Sequence, residues 1–157
     1  MASLAGSAGC GGSAACNVPE TVSLELRASA DLNQGEDGAS RSFVLRTYQL
    51  DHPGPFEQVA YGALWANPPE EVWGEALVAE PSEVRVLPGR RQVVQLRRHE
   101  KARYLVLAGR FRSDQAQWKL LMDMPERVDP CSSGDEQRPP TLSATASGYD
   151  LSLEVAP

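Results

Sequence analysis

The sequence predicts an all-β sandwich of about eight antiparallel strands with one small helical insertion. Three observations lead there. Short apolar segments with period-two alternation recur along the chain, separated by turn residues. A helical period interrupts this pattern once, over about 55–77. The chain has 157 residues, enough for one domain with a sizeable core. A single sandwich domain is therefore expected over 20–157, preceded by a flexible tether over 1–19.

In the first strand, Val22, Leu24, Leu26 and Ala28 alternate with Ser23, Glu25 and Arg27, a half-buried pattern. Residues 29–41, SADLNQGEDGASR, form a long polar loop. Compact domains rarely keep a loop of this length without a use. The second strand is Phe43–Leu50. Phe43 and Leu45 face one way and Val44, Tyr48 and Leu50 the other, so both faces should be covered. Asp51-His52-Pro53-Gly54 is a turn, and Pro55 suits the first position of a helix. Phe56, Val59, Ala60, Ala63 and Leu64 then share one helical face. Asn67 is placed to cap a second short helix, with Pro68 at its first position and Glu70 and Glu71 near its positive end. Val72, Trp73, Ala76 and Leu77 continue it, against the propensity of Gly74.

Strands resume at residue 82. Val84 and Val86 precede a Pro88-Gly89 turn of type II, and 92–96 should pair back as a hairpin. Residues 103–111 are apolar on both faces, the mark of a central strand. Ser113-Asp114-Gln115 turns the chain, and Trp118, Leu120, Met122 and Met124 then alternate with Lys119, Leu121 and Asp123. A Pro/Ser/Gly-rich loop follows over 125–140. The last strands are expected at about 142–147 and 149–155, split near Gly148. No internal repeat is present.

The formal net charge of -6 argues against nucleic acid, whose affinity rests on Lys and Arg neutralising phosphates. The pairs Arg90/Arg91 and Arg97/Arg98 read as solvated strand ends. No apolar run approaches the ~18 residues of a membrane-spanning helix, which leaves a lipid anchor open. HExxH, CxxC, P-loop and GxGxxG patterns are missing, and no serine lies in a nucleophile elbow. His99, Asp114 and Asp123 are the only loose acid–base candidates, and nothing in the sequence brings them together. His52 and His99 lack ligand spacing. Residues 31–42 begin like a calcium loop with Asp31 and Asn33. They then fail it: Glu36 stands where glycine is required and Ser42 where glutamate is required. Trp65, Trp73 and Trp118 read as packing residues rather than a ligand-stacking set. No catalytic residue, metal site or cofactor is expected.

The first sixteen residues, MASLAGSAGCGGSAAC, are small and apolar, with no Lys or Arg before Arg27. They look like the tail of a secretory signal whose basic region lies upstream. Ser7-Ala8-Gly9-Cys10 looks like the end of a bacterial lipobox, with Ser7 at the position usually held by leucine. Read alone, these residues fit a flexible Gly/Ala/Ser tail equally well. The cysteines are Cys10, Cys16 and Cys131. If Cys10 carries lipid, Cys16 and Cys131 remain as a pair that could form a disulfide in an oxidising compartment. Such a bond would contribute at most ~4–5 kcal/mol. The alternatives are two free thiols, or Cys16 as the lipid site, which leaves Cys131 unpaired.

Five blocks stand in a specific order over 22–124: ADLN before a variable loop, VLRTYQL, the FEQ helix start, VRVLPGRRQVVQL, and ARYLVLAGRFR leading to Trp118. In this order and spacing the chain resembles the TssJ (SciN/VasD-like) family of type VI secretion outer-membrane lipoproteins. The resemblance implies a transthyretin-like sandwich with a small helical addition, and a scaffold protein rather than an enzyme. It implies a lipid anchor in the outer membrane, on its periplasmic face, and so tips the N-terminal residues toward a lipoprotein, with Cys10 as the preferred lipid site and Cys16 as the alternative. Gly11 after Cys10 agrees, since no aspartate is there to direct retention in the inner membrane. It also implies a partner, the periplasmic C-terminal part of the inner-membrane protein TssM, and through it the TssL-containing complex.

The family's partner-contacting element maps to about 30–41. Its residues are Asp31, Leu32, Asn33, Gln34, Gly35, Glu36, Asp37 and Gly38. Their acidity suits a basic partner groove and would steer encounter more than set affinity. Leu32 is either an apolar anchor or the end of the first strand. Without the resemblance this loop would read as a solvated spacer. A second class of function, a small-ligand carrier or inhibitor module, would require a deep apolar pocket with convergent polar groups.

Overall fold

A computed structural model describes residues 20–114, 117–127 and 139–154. Cys10, Cys16, Cys131 and the expected tether lie outside the described residues. The strands are β1 (Thr21–Ala28), β2 (Phe43–Leu50), β3 (Ser82–Val86), β4 (Arg91–Arg97), β5 (Tyr104–Gly109), β6 (Lys119–Asp123), β7 (Thr141–Ser147) and β8 (Asp150–Leu153). They form two four-stranded sheets, in the orders β4-β1-β7-β8 and β3-β2-β5-β6. The molecule is a β-sandwich, as the alternation predicts.

The two sheets meet through the inward sides of their strands. Leu24 and Leu26 of β1, Leu45 of β2, and Leu105 and Leu107 of β5 are all buried there. The opposite side of β2 is covered as well, by the segment between β2 and β3. That segment contains a 3₁₀ turn (Phe56–Gln58), α1 (Tyr61–Ala66), α2 (Pro69–Trp73) and a second 3₁₀ turn (Gly74–Ala76). Trp73 is 2% exposed and packs on Tyr48 with ring centroids 5.0 Å apart. Leu50 bridges to Leu77 beyond the insertion. This double cover explains why β2 and β5 read as apolar on both faces. β5 is central, paired with β2 on one side and β6 on the other.

Four local expectations need correction. The helical face from Phe56 to Leu64 is not one helix: Ala60 is extended, with φ −84° and ψ 149°, and the chain restarts at α1. The reason lies on β6. The Lys119 ammonium donates to the carbonyls of Phe56, Glu57 and Val59, acceptors that a continuous helix would have used itself. Asn67 does not start α2. It ends α1, donating its N–H to the Ala63 carbonyl, and Pro69 opens α2 from Pro68. Asn67 and Pro68 each precede a proline, which disfavours the helical region for both and pushes the start to Pro69.

Third, β3 and β4 are not a hairpin. β3 pairs with β2 and β4 with β1, so the Pro88-Gly89 turn crosses from one sheet to the other. Gly89 has φ 66°, as a glycine turn requires, but its N–H donates to the Ser29 carbonyl at 3.0 Å. The Gln92 side chain bridges the crossing, accepting from the Leu87 N–H and donating to the Arg85 carbonyl. Fourth, the first sheet is mixed rather than antiparallel, because β7 runs parallel to β1.

Candidate functional site

β1 starts at one pole of the sandwich and delivers the chain to the loop over residues 29–42 at the other. At about 3.3 Å per residue, its eight residues separate the two poles by about 25 Å. Residue 20 therefore sits opposite the loop. No helix among the described residues is long and apolar enough to cross a membrane.

The loop is built from its base upward. Ser29 donates its N–H to the Ala146 carbonyl, and Ser40 donates its hydroxyl to the Ala30 carbonyl at 2.6 Å. Leu32 turns into the core and is fully buried. Leu32 is not the end of the first strand, since β1 stops at Ala28, and it is not an exposed anchor in this structure either: it is a loop residue whose side chain belongs to the core. Asn33 is 3% exposed and has φ 47°, a left-handed conformation that asparagine tolerates better than most residues. The Arg41 N–H donates to the Leu32 carbonyl at 3.0 Å and closes the loop above this point.

The tip is internally clamped. Arg41 donates both terminal nitrogens to the Asp37 carboxylate, at 3.0 and 2.9 Å. The Ala39 N–H also donates to Asp37. The Arg41 guanidinium holds the Asp37 carboxyl far below the usual carboxylate range. Gly35 makes room for this pair: a Cβ there would lie 2.7 Å from the Asp37 carboxylate and collide with the guanidinium. The Tyr149 hydroxyl donates to the Gln34 carbonyl at 2.6 Å. Asp31 accepts from the Ser29 hydroxyl, which lowers its pKa. The exposed acidic groups are thus Asp31, Glu36 and Asp37, and Asp37 already has its countercharge.

Sequence reasoning located the loop and its charge but missed the groups that hold it. Arg41 stands four residues from Asp37, a spacing visible in the chain. Arg112, Gly148 and Tyr149 are distant in sequence, and only the fold brings them to the loop.

The remaining candidates do not converge. Asp114 lies beyond the loop-side end of β5. Asp123, at the opposite end of β6, pairs with Tyr104, and His99 lies near the same end. Among the described residues no group of three or more His, Cys, Asp or Glu side chains could hold a metal ion. Trp73 and Trp118 are buried, as expected of packing residues, and the Trp65 ring lies under the Arg46 guanidinium at 4.7 Å. A groove of about 390 Å³ runs along the β6 and β8 edges, lined by residues such as Leu121, Asp123, Thr141 and Leu153. Between the sheets, Leu24, Leu26, Leu45, Leu105 and Leu107 are buried together with residues such as Val22, Phe43 and Ala144.

Comparison with known proteins adds three findings. A family model described as type VI secretion lipoprotein, VasD, EvfM, TssJ matches residues 20–153. The crystal structure of the T6SS lipoprotein TssJ1 from Pseudomonas aeruginosa is 27% identical, with a TM-score of 0.68 over 89% of this chain and 100% of that one. Two further structures share the fold. One, described as a type VI membrane complex, is 24% identical, with a TM-score of 0.70 over 88% of this chain and 100% of that one. The other, described as the T6SS protein TssM C-terminal domain from EAEC, is 21% identical, with a TM-score of 0.67 over 87% of this chain and 99% of that one. No curated protein sequence matches.

Proposed function

This chain belongs to the type VI secretion lipoprotein family that includes TssJ, and on that premise we propose that it is an assembly lipoprotein anchored to the periplasmic face of the outer membrane. Its acyl chain is carried on Cys10, with Cys16 as the alternative. Its β1–β2 loop binds the periplasmic C-terminal domain of TssM and so connects it to the TssL-containing complex. Cys16 and Cys131 form a disulfide between the segment before β1 and the loop before β7. The family is one of secretion-system lipoproteins and not of enzymes, and we assign this chain no catalysis.

The observation that carries this reading is the polarity of the sandwich. Residue 20, where a tether would enter, lies at one pole, and a clamped, exposed loop lies about 25 Å away at the other. A protein held at one end and recognised at the other needs this layout. Similarity of fold to structures described as a type VI membrane complex and as a TssM C-terminal domain supports the same reading. The core filled by Leu24, Leu26, Leu45, Leu105 and Leu107 counts against a small-ligand carrier.

The test spares the loop base. Replacing residues 34–40 with two glycines leaves Leu32 and Asn33 in place. The variant should fold, and its affinity for the TssM periplasmic domain, measured by calorimetry, should fall below detection. Unchanged affinity would remove the loop from the interface.

A further inference from the structure

The pose of the β1–β2 loop is set largely at one residue. The Asn33 Nδ2 donates to the Ser42 carbonyl at 3.1 Å, and its Oδ1 accepts from the Arg112 N–H at 2.9 Å. Its own N–H donates to the Gly148 carbonyl at 2.6 Å. These three partners lie on the approach to β2, on the connection after β5 and on the turn between β7 and β8. One nearly buried asparagine, through its side-chain amide and its backbone N–H, therefore ties the loop to two segments remote in sequence and to its own exit. Above it the tip is stiffened by the Asp37–Arg41 pair and by Tyr149. Glu36 at the tip is exposed and has no hydrogen bond or ion pair among the described residues. The tip thus meets solvent as a formed surface with an unspent charge.

We infer that Asn33 is the positioning residue of this loop: it makes no contact with the partner, and it holds the tip in the pose that the partner binds. The inference rests on the function proposed above. A loop that must be ordered at the moment of binding loses affinity in proportion to the time it spends outside the competent pose. Asn33 removes that loss by ordering the loop beforehand. Its left-handed backbone matters to this role. The conformation points the chain outward while leaving the amide aimed inward, and only glycine would reach it more easily.

The experiment uses Asn33→Gly in the full chain. Glycine keeps access to a φ of 47° and deletes both side-chain hydrogen bonds. The amides of Gly35, Gly38 and Arg41, which donate within the loop, should exchange with deuterium at least ~10-fold faster. Affinity of the folded protein for the TssM periplasmic domain should fall about 10-fold, the weight of one or two side-chain hydrogen bonds. Asn33→Asp keeps the acceptor for Arg112 and should lose less. A residue that merely stabilised the domain would lower the melting temperature and leave the folded protein's affinity intact. Faster exchange with unchanged affinity, or unchanged exchange, overturns the inference. Glu36→Lys separates its failure from that of the parent reading. If Glu36→Lys slows association and Asn33→Gly does not weaken binding, the loop is the contact and the positioning role is wrong. If Glu36→Lys, Asn33→Gly and the 34–40 replacement all bind normally, the loop is not the contact, and both fall.

Discussion

Leu32 lies within the proposed partner-binding loop by sequence and within the core by structure, so Leu32→Ala tests what the loop is made of. The side chain is fully buried in the same cluster as Phe43 and Leu45. Truncation removes three carbons, worth about 2.4 kcal/mol of transfer free energy at roughly 0.8 kcal/mol each. Incomplete collapse of the site adds a cavity term, and measured Leu→Ala changes in cores span about 2–5 kcal/mol. A loss of about 3 kcal/mol follows. For a domain of this size each kcal/mol moves the melting temperature by about 2–4 °C, so the midpoint should drop by about 6–12 °C. Urea unfolding followed by tryptophan fluorescence measures the first quantity, with Leu32→Met as a volume-conserving control expected to cost less than about 1.5 kcal/mol. Partner affinity is measured well below the melting point, where the variant is folded. It should weaken no more than about 10-fold, through loosening of the neighbouring Asn33. A stability loss under about 1 kcal/mol together with a loss of affinity beyond about 100-fold would refute the reasoning. Leu32 would then be an anchor that leaves the core on binding.

Two further outcomes are expected. The folded pKa of Asp37 is depressed by Arg41, so the clamp is fully present above the unfolded value near 4 and is lost only as pH falls through the depressed one. The Asp37 carboxyl carbon resonance should still report the ionised form at about pH 3, and a midpoint near 4 would show that the pair does not form in solution. Mass spectrometry of protein expressed with its native upstream sequence in a bacterium with two membranes tests the anchor and the disulfide. The mature chain should begin at Cys10 with added acyl mass and two hydrogens missing for Cys16–Cys131, whereas an unmodified chain with three free thiols removes both.

Much of the fold is legible in the chain because strand and helix patterns are local. The alternation of Val22, Leu24 and Leu26 placed β1. The two-faced apolar stretch in β5 marked a central strand, since only a strand covered on both sides needs apolar residues at every position. The insertion was legible from Phe56, Val59 and Leu64, though not its break. Nothing near Ala60 signals that Lys119, about sixty residues on, will take the carbonyls of Phe56 and Val59. The candidate loop was legible as length, polarity and charge. Its rigidity was not, because Arg112, Gly148 and Tyr149 hold it from other connections.

Side-chain periodicity by itself determined which segments of this protein are strands, which faces are apolar and where turns fall, since each follows from the backbone period of a few neighbouring residues. Tertiary structure alone decided which strands pair. A valine that alternates correctly is satisfied by any partner strand, so Val84 and Val86 could not show that β3 joins β2 while β4 crosses to β1. For the same reason the parallel match of β7 with β1 left no local trace. Leu32 shows the same limit within the loop: its hydrophobicity called for burial, and only the packing of the whole domain determined that the burial is in its own core rather than in a partner.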